Sequence, residues 1–527
     1  MSNFPMQASD TQVLIVGGGA AGTMLSLELA RHGVEFRTVD RLPGPGRTSR
    51  AIAVHARTLE MLERIDKRLL APYLAHGIHN KGYVLHYVDA AGRRSEVRPG
   101  LDFTTLESRY PYILIHGQCD SENNIRQYLR QEFDLGTEWN TRCTTITQDA
   151  DGVTATLVHT NGGDAEEIVR CQYLVACDGI NSRVRHALGL EQEGSDYKGT
   201  VLQNMDVFLN DFPDAEDHVH YCAGTDHFIM VVKLPGGYYR LLLSDRGEAA
   251  DPTTLPADAF KRIVDRHFDG VSLGELVWHS KWESWVRLAK NYREGRVFLA
   301  GDSAHVHSTT GGQGMNCCMQ DASNLGWKLG FVLRGLGRPE LLDTYVDERR
   351  PIAEQVIWAA SSLHEIFMGH GKDITERAQR MNDSQFLDQV VGRCSGISYT
   401  YRDYVRPVEG LSEQPGPAIG DRAPDVDLED GRTLYDLTRH TGFTLFVLRG
   451  ARSRGADGGQ SLARLQERFG QVVETHELRS SAAVERRYGS APHDRVFLVR
   501  PDGYVGFRGA LTELALLEAQ LASILLL

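Results

Sequence analysis

The chain has 527 residues, more than one ordinary hydrophobic core organises, so two or three domains are expected. Its composition is globular, with 41% hydrophobic and 24% charged residues. A formal net charge of −13 argues against nucleic-acid binding, which needs basic surface, but leaves room for a small anion at a local arginine cluster.

The first residues, MSNFPMQASD, lack the basic start of a secretory leader. VLIVGGG (13–19) predicts a buried strand running into a glycine turn, and AAGTMLSLELARHG predicts the helix after it. The apolar run 13–30 is long enough to imitate a membrane span, but three central glycines favour strand, turn and helix. VEFRTVD predicts a second strand ending at Asp40, and RTLEMLERI a helix. Residues 80–98 and 200–245 carry short strand patterns, with a Pro-Gly-Gly turn in VVKLPGGYYRLLL. YLVACDG and VFLAGD are further buried strands that open into loops. CCMQDASNLGWKLGFVLRG reads as a helix, and residues 339–408 as mostly helical. LSEQPGPAIGDRAP (411–424) is the candidate linker. FTLFVLRG, RVFLVRPDGYVGFRG and the amphipathic tail LTELALLEAQLASILLL then suggest a small separate α/β domain. Eight scattered cysteines, without a CxxC pair and with none after Cys394, predict a reduced, cytoplasmic chain.

Gly17, Gly19 and Gly22 form G-x-G-x-x-G between a strand and a helix. In that setting the first glycine permits the tight turn, the second lets a pyrophosphate approach, and the third allows close packing of helix on strand. The free N–H groups of the helix then face the phosphates. Asp40, closing the next strand, stands where a ribose-binding acid belongs. The motif serves NAD and FAD alike, and no second copy follows a strand. Asp178 and Asp302 also leave buried strands, placed to accept hydrogen bonds from sugar or ribityl hydroxyls. His305, His307, Cys317 and Cys318 raise the possibility of a metal, but adjacent helical cysteines diverge by about 100°, so no metal is expected.

In this order, the glycine motif, ACDGINSRVR and FLAGDSAHVHSTTGGQGMN resemble the three signatures of the class A FAD-dependent aromatic monooxygenases. The chain is most similar to the phenol hydroxylase-like members, which carry a thioredoxin-like C-terminal domain. The resemblance implies the para-hydroxybenzoate hydroxylase fold, an α/β Rossmann-like FAD-binding domain with a β-sheet substrate domain. It implies FAD binding by residues 1–80, 110–190 and 285–365, a substrate sheet from 81–109 and 191–284, a helical connection over 366–410, and a thioredoxin-like domain without cysteines over 418–527. Without a thiol, that last domain cannot exchange disulfides, which leaves packing or a homodimer contact as its role.

By the same resemblance, Gly17, Gly19, Gly22, Asp40 and Arg41 hold the ADP half of FAD. Arg50 lies beside the flavin, Gln118 touches the middle of the cofactor, and Asp178 lies near FAD and the visiting nicotinamide. Gly301 and Asp302 take the ribityl chain, and Gly312, Gly314, Met315 and Asn316 open a helix aimed at the flavin. The implied reaction uses NADPH or NADH as a transient reductant and O2 as co-substrate, and hydroxylates a phenol through a flavin C4a-hydroperoxide. Catalytic candidates are Arg50, Thr309, Arg240 and Tyr221; substrate-binding candidates are Tyr83, Tyr221, Tyr239 and Arg240, with His220 beside them. Arg240 is read as a grip for the phenolate. Thr309 stands where the family usually has proline, which predicts a looser loop and more uncoupled peroxide. Loss of a halide or nitro substituent is open, as are the tailoring of a polycyclic natural product and a flavin-bound sequestering protein with poor turnover. Neither nucleic acid nor stable membrane association is expected.

Overall fold

The computed structural model describes residues 11–88, 94–161, 163–194, 196–213, 217–245, 256–369, 377, 379–450 and 459–527. Several expectations fall partly outside these residues: the N-terminus without a leader (1–10), the strand patterns at 89–93 and 214–216, the substrate sheet at 195 and 246–255, the helical connection at 370–376 and 378, and the C-terminal domain at 451–458.

The strand Thr11–Val16 pairs in parallel with Phe36–Val39 on one side and Ala165–Ala176 on the other, and Val297–Leu299 continues the parallel order. A hairpin of Thr141–Gln148 and Val153–His159 joins this sheet through Ala165–Ala176. The apolar runs are continuous because the sheet is covered on both faces, and Val13, Leu14, Ile15, Leu174 and Val175 are fully buried. The helix Ala20–Arg31 packs against the helix Gly314–Leu333. A Cβ on Gly326 would stand 2.4 Å from Glu28 Cβ, and one on Gly330 would stand 2.5 Å from His32 Cγ. These two glycines, one turn apart, therefore let the helix axes approach.

The close approach seals the His32 imidazole, and both its ring nitrogens are buried without a hydrogen-bond partner. Burial, aided by the charges of Arg31 and Arg334, holds its pKa down to about 3 from an ordinary 6.5. Between these values the unfolded chain takes up a proton that the folded chain refuses. The stability is complete above pH 6.5 and is lost as pH falls toward 3, by about 1.4 kcal/mol per pH unit. His32→Leu should therefore show a shallower fall in Tm than the parent on acidification from neutrality to about pH 4. Parallel melting curves of the two proteins would count against the assignment.

The second sheet runs in the order Ser272–Trp285, Asp196–Asn210, Tyr239–Asp245, His227–Lys233, His218–Ala223, Gly82–Val88 and Arg94–Asp102. Period-two alternation divides its residues between two clusters. Tyr83, Leu85, Tyr221, Phe228, Met230 and Leu242 join Leu363, Ile366 and Phe367 on one face. Cys222, Ile229, Val231, Tyr239, Leu241 and Leu243 meet Phe260, Ile263 and Val264 of the helix Pro256–His267 on the other.

The C-terminal residues form a four-stranded sheet in the order Val473–Leu478, Phe443–Leu448, Arg495–Val499 and Val505–Ala510. Leu514, Leu517 and Leu521 of the final helix, with Leu525 just beyond it, fill its core together with Trp327, Phe331 and Leu341 from the preceding domain. The expected linker is packed rather than free: Gly420 donates to Val505 O at 2.8 Å, and a Cβ on Gly416 would lie 2.3 Å from Tyr488 O. Among the described residues no helix is long and apolar enough to cross a membrane.

Candidate active site

Three strand exits meet at one crevice. Cys177 N–H donates to Val16 O at 2.7 Å, and Ala300 N–H donates to Ala176 O at 3.0 Å. Gly17 has a φ of +108°, and a Cβ there would sit 2.2 Å from Cys177 O. A Cβ on Gly22 would sit 1.9 Å from Gly17 O. At Gly19 the nearest atom to such a Cβ is Glu122 Oε1 at 3.8 Å, so this glycine leaves open space and not a protein contact. A Cβ on Gly301 would meet Ala21 Cβ at 3.1 Å, which places the third motif against the first.

The residues present fit a dinucleotide. The helices Ala20–Arg31 and Gly314–Leu333 both begin without a side-chain cap, so their first N–H groups are open to an anion. One Asp40 oxygen accepts from Gly18 N–H at 2.7 Å and the other from Leu42 N–H at 2.9 Å, which fixes the acid at the crevice edge with Arg41 exposed beside it. Gln118 donates to Glu122 at 2.8 Å, and Arg126 donates to Glu122 and to Gly18 O, both at 2.7 Å. This ladder on the helix Gln118–Phe133 braces the glycine turn. Sequence reasoning singles out only Gln118 of the three, although their i, i+4, i+8 spacing is visible in the chain.

Asp178 accepts from Arg183 N–H at 2.8 Å through Oδ2, while its buried Oδ1 has no partner. Burial pushes this carboxyl above its ordinary range. Asp302 lies in the turn Gly301–Ser303 and accepts from the Cys318 thiol at 3.4 Å. Surrounding protein pushes its pKa up, partly offset by the charges of His305 and Arg50. Arg50 is thereby brought near Asp302, and its guanidinium lies 5.7 Å from the Trp282 ring centre.

The loop after Asp302 is anchored from several directions. Ser308 Oγ pairs with His364 Nδ1 at 3.0 Å, and Thr310 Oγ1 donates to Ala360 O at 2.7 Å. His55 Nε2 pairs with Gly311 O at 2.8 Å, and burial holds the His55 imidazole down to about 4, against that bond. Asn316 accepts from His55 N–H and donates to Ala53 O and Gly312 O, each at 2.9 Å. Gly312 needs its positive φ of +65°, since a Cβ would meet Ala53 Cβ at 2.8 Å. Met315 is buried behind the open start of Gly314. Thr309 is exposed between two anchored neighbours. The looseness expected from the missing proline is thus opposed by long-range hydrogen bonds.

His305, Cys317 and Asp321 bring one ligand-type atom each within 4.8 Å of the others. Arg349 occupies this cluster, donating to Asp321 at 2.7 Å and to Cys317 at 3.6 Å, and His305 Nε2 pairs with Asp321 at 2.7 Å. A buried guanidinium opposes a second cation there. Burial alone would lower the His305 pKa, but Cys317 and Asp321 hold it well above the ordinary value. Cys318 faces Asp302 instead, and His307 is a separate, half-buried imidazole with a sealed Nε2, held down to about 4 by the surrounding protein.

The substrate face separates the tyrosine candidates. Tyr83 and Tyr221 stack with ring centres 4.3 Å apart, both buried in the apolar cluster whose Leu363 and Cys394 pack against Gly311. Burial pushes both phenols well above their ordinary range, so they stay protonated. Tyr239 points to the opposite face, 5.2 Å from Phe212, and His220 pairs there with His86 at 2.9 Å. Strand alternation thus puts both on the face turned away from the Tyr83–Tyr221 pair. Arg240 is fully buried, bonds Asp206 through two nitrogens at 2.7 Å, and donates to Arg50 O at 2.9 Å. Its charge is committed, and what it positions is the backbone of Arg50.

A family profile described as FAD binding domain matches residues 10–360, and one described as aromatic-ring hydroxylase, C-terminal matches residues 416–525. The chain belongs to the FAD-dependent aromatic-ring hydroxylases. This hydroxylase is 38% identical over 525 residues to pentachlorophenol 4-monooxygenase of Sphingobium chlorophenolicum, covering 97% of this chain and 96% of the relative. It is 32% identical to 6-methylpretetramide 4-monooxygenase of Streptomyces rimosus, covering 99% and 95%. Among solved structures, the OxyS anhydrotetracycline hydroxylase of Streptomyces rimosus matches with TM-score 0.74 at 28% identity, over 95% of this chain and 96% of that one. A ternary complex of aklavinone-11 hydroxylase with FAD and aklavinone matches with TM-score 0.78 at 25% identity, over 98% and 99%.

Proposed function

We propose that this monooxygenase hydroxylates a phenolic ring, taking electrons from NADPH or NADH and oxygen from O2. The observation that carries the reading is the stacked, buried Tyr83–Tyr221 pair in the apolar cluster whose Leu363 and Cys394 pack against Gly311, just before the open helix start at Gly314. When bound and reduced, the flavin supplies the activation of O2. The chain's own residues do the rest. Gly17, Gly19, Gly22 and Asp40 seat the ADP half, with Arg41 at its edge. Gln118, Asp178, Gly301 and Asp302 line the middle, and Gly312, Gly314, Met315 and Asn316 form the flavin-side helix start. Free N–H groups at that start stabilise negative charge on the bound ring. Arg50 adds a cation over the cleft, and Tyr221 donates a hydrogen bond to the substrate's phenolate oxygen. Phe103, Phe228 and Phe367 around the pair exclude water.

The pentachlorophenol relative supports a substituted monocyclic phenol, with loss of a ring halide or nitro group on hydroxylation. The 6-methylpretetramide relative supports a polycyclic substrate as a second reading. Reductant oxidation by the FAD-loaded protein against a panel of both classes separates them. Substrate-stimulated oxidation with a hydroxylated product is expected from one class; no stimulation by any phenol would instead favour a flavin-bound sequestering protein.

Tyr221→Phe removes a hydrogen bond to a charged oxygen, commonly about 1.5–3 kcal/mol, so phenolate affinity should fall roughly ten- to a hundredfold with FAD still bound. Unchanged substrate affinity would remove Tyr221 from the binding role. Ser308→Ala removes the tie to His364 and the two contacts that Ser308 Oγ accepts from Thr310, and a rise in peroxide per reductant consumed of about two- to tenfold or more is expected. A peroxide assay with the best phenol of the panel reads this directly, and an unchanged ratio would mean that Ser308 does not hold the loop.

A further inference from the structure

The hairpin Arg500–Tyr504 leaves the C-terminal domain and is buried against the cofactor-binding domain. Arg500 bonds Glu348 through two nitrogens at 2.6 and 2.7 Å, and Asp502 accepts from Asn324 and from the Trp327 indole, both at 3.2 Å. Arg57 donates to Asp502 O at 2.8 Å, and its guanidinium lies 4.8 Å from the Tyr504 ring centre. Arg64 donates to Pro501 O at 3.1 Å, so close to Gly503 that a Cβ there would stand 2.4 Å from the guanidinium. The Tyr504 ring lies 4.2 Å from that of Tyr401, whose hydroxyl accepts from Arg349 at 3.1 Å.

Glu348 and Arg349 are consecutive on the helix Asp343–Met368. The first holds the hairpin. The second holds Asp321, whose other oxygen accepts from His305 at 2.7 Å and from Gly301 N–H at 3.2 Å. A second arm runs through Arg57, in the first turn of the helix Ala56–Ile65 that follows His55, the residue bonded to Asn316 and Gly311. The hairpin therefore ends on both segments that line the flavin side of the cleft.

We propose that the Arg500–Tyr504 hairpin is a positioning element for the flavin: through Glu348, Tyr401, Arg349 and Asp321 it sets Gly301 and His305, and through Arg57 it sets the segment at His55. The thiol-free C-terminal domain thus acts on the neighbouring cofactor cleft as well as filling space beside it. Neither Asp502 nor Tyr504 touches the cleft itself, so both are positioning residues.

The test uses the full-length FAD-loaded protein. Asp502→Asn keeps the shape of the side chain and removes its charge; Tyr504→Leu breaks the ring stack without altering a buried charge; Tyr504→Phe keeps the stack. In Asp502→Asn FAD affinity should fall about tenfold or more, as for loss of a charge-assisted hydrogen bond; in Tyr504→Leu it should fall about two- to tenfold, as for loss of the Tyr401 ring stack and the Arg57 cation–π contact. The visible spectrum of the flavin that remains bound should shift, and peroxide per reductant should rise. Tyr504→Phe should restore parental values. The proposal is overturned if both disruptive variants fold and keep parental FAD affinity and flavin spectrum, even with a lower Tm, since that would make the hairpin a brace only. If Asp502→Asn fails to fold, Tyr504→Leu decides by the same two readouts. If Tyr504→Leu also fails to fold while Tyr504→Phe folds with parental flavin properties, the hairpin is a folding element, and the proposal falls.

Discussion

Gly22→Ala should purify without its yellow colour. The added Cβ would stand 1.9 Å from Gly17 O, and the obstacle is backbone, which cannot rotate aside. Helix and turn must separate, at a cost in the range of overpacking, about 1–3 kcal/mol, and the phosphate seat moves with them. FAD affinity should fall roughly ten- to a hundredfold, read from the flavin-to-protein absorbance ratio and from titration. Gly19→Ala is the informative companion. Its Cβ meets nothing closer than 3.8 Å, so this variant should lose FAD while keeping the parental Tm of the cofactor-free protein. Full flavin content in either variant would mean that the glycine turn is not the pyrophosphate seat.

Arg349→Met should be severely destabilising. Arg349 and Asp321 are both fully buried, and the guanidinium also bonds the Tyr401 hydroxyl. Burial alone would raise the Asp321 carboxyl, but His305 and Arg349 hold it below the ordinary range. Removing the arginine leaves a buried carboxylate short of its partner, a change that commonly costs about 3–5 kcal/mol. Chemical denaturation should report a loss of that size. Adding Asp321→Asn should recover part of it, because the stranded charge is then gone. If the double variant is no more stable than Arg349→Met, the cost lies in lost packing and not in the unpaired acid.

The cofactor side of the cleft is legible in the sequence because its constraints are local. Gly17 and Gly22 obstruct one another within a single turn, and Asp40, Asp178 and Asp302 each stand where a buried apolar run ends. The substrate side is not legible to the same degree. Alternation places Tyr221 and His220 on opposite faces of their strand, but it does not say which face looks into the cleft. Arg240 reads as a free cation because its partner, Asp206, lies across a strand pair whose register no motif announces. Thr309 reads as a loosening substitution because its neighbours' anchors, His364, Ala360 and His55, come from distant segments. Asp321 and Arg349 are buried charges on long helices, and only the fold shows that each exists for the other.

Transfer of an oxygen atom from O2 onto a phenolic ring is the activity on which all the assigned roles converge. It is tested by a turnover of the FAD-loaded protein with NADPH or NADH, under isotopically labelled dioxygen in ordinary water, using whichever phenol most stimulates reductant oxidation. The new hydroxyl should carry the label from O2, and unlabelled product should form when the label is supplied in water instead. Reductant consumption that yields only peroxide with every phenol, or a product whose oxygen comes from water, would contradict the assignment.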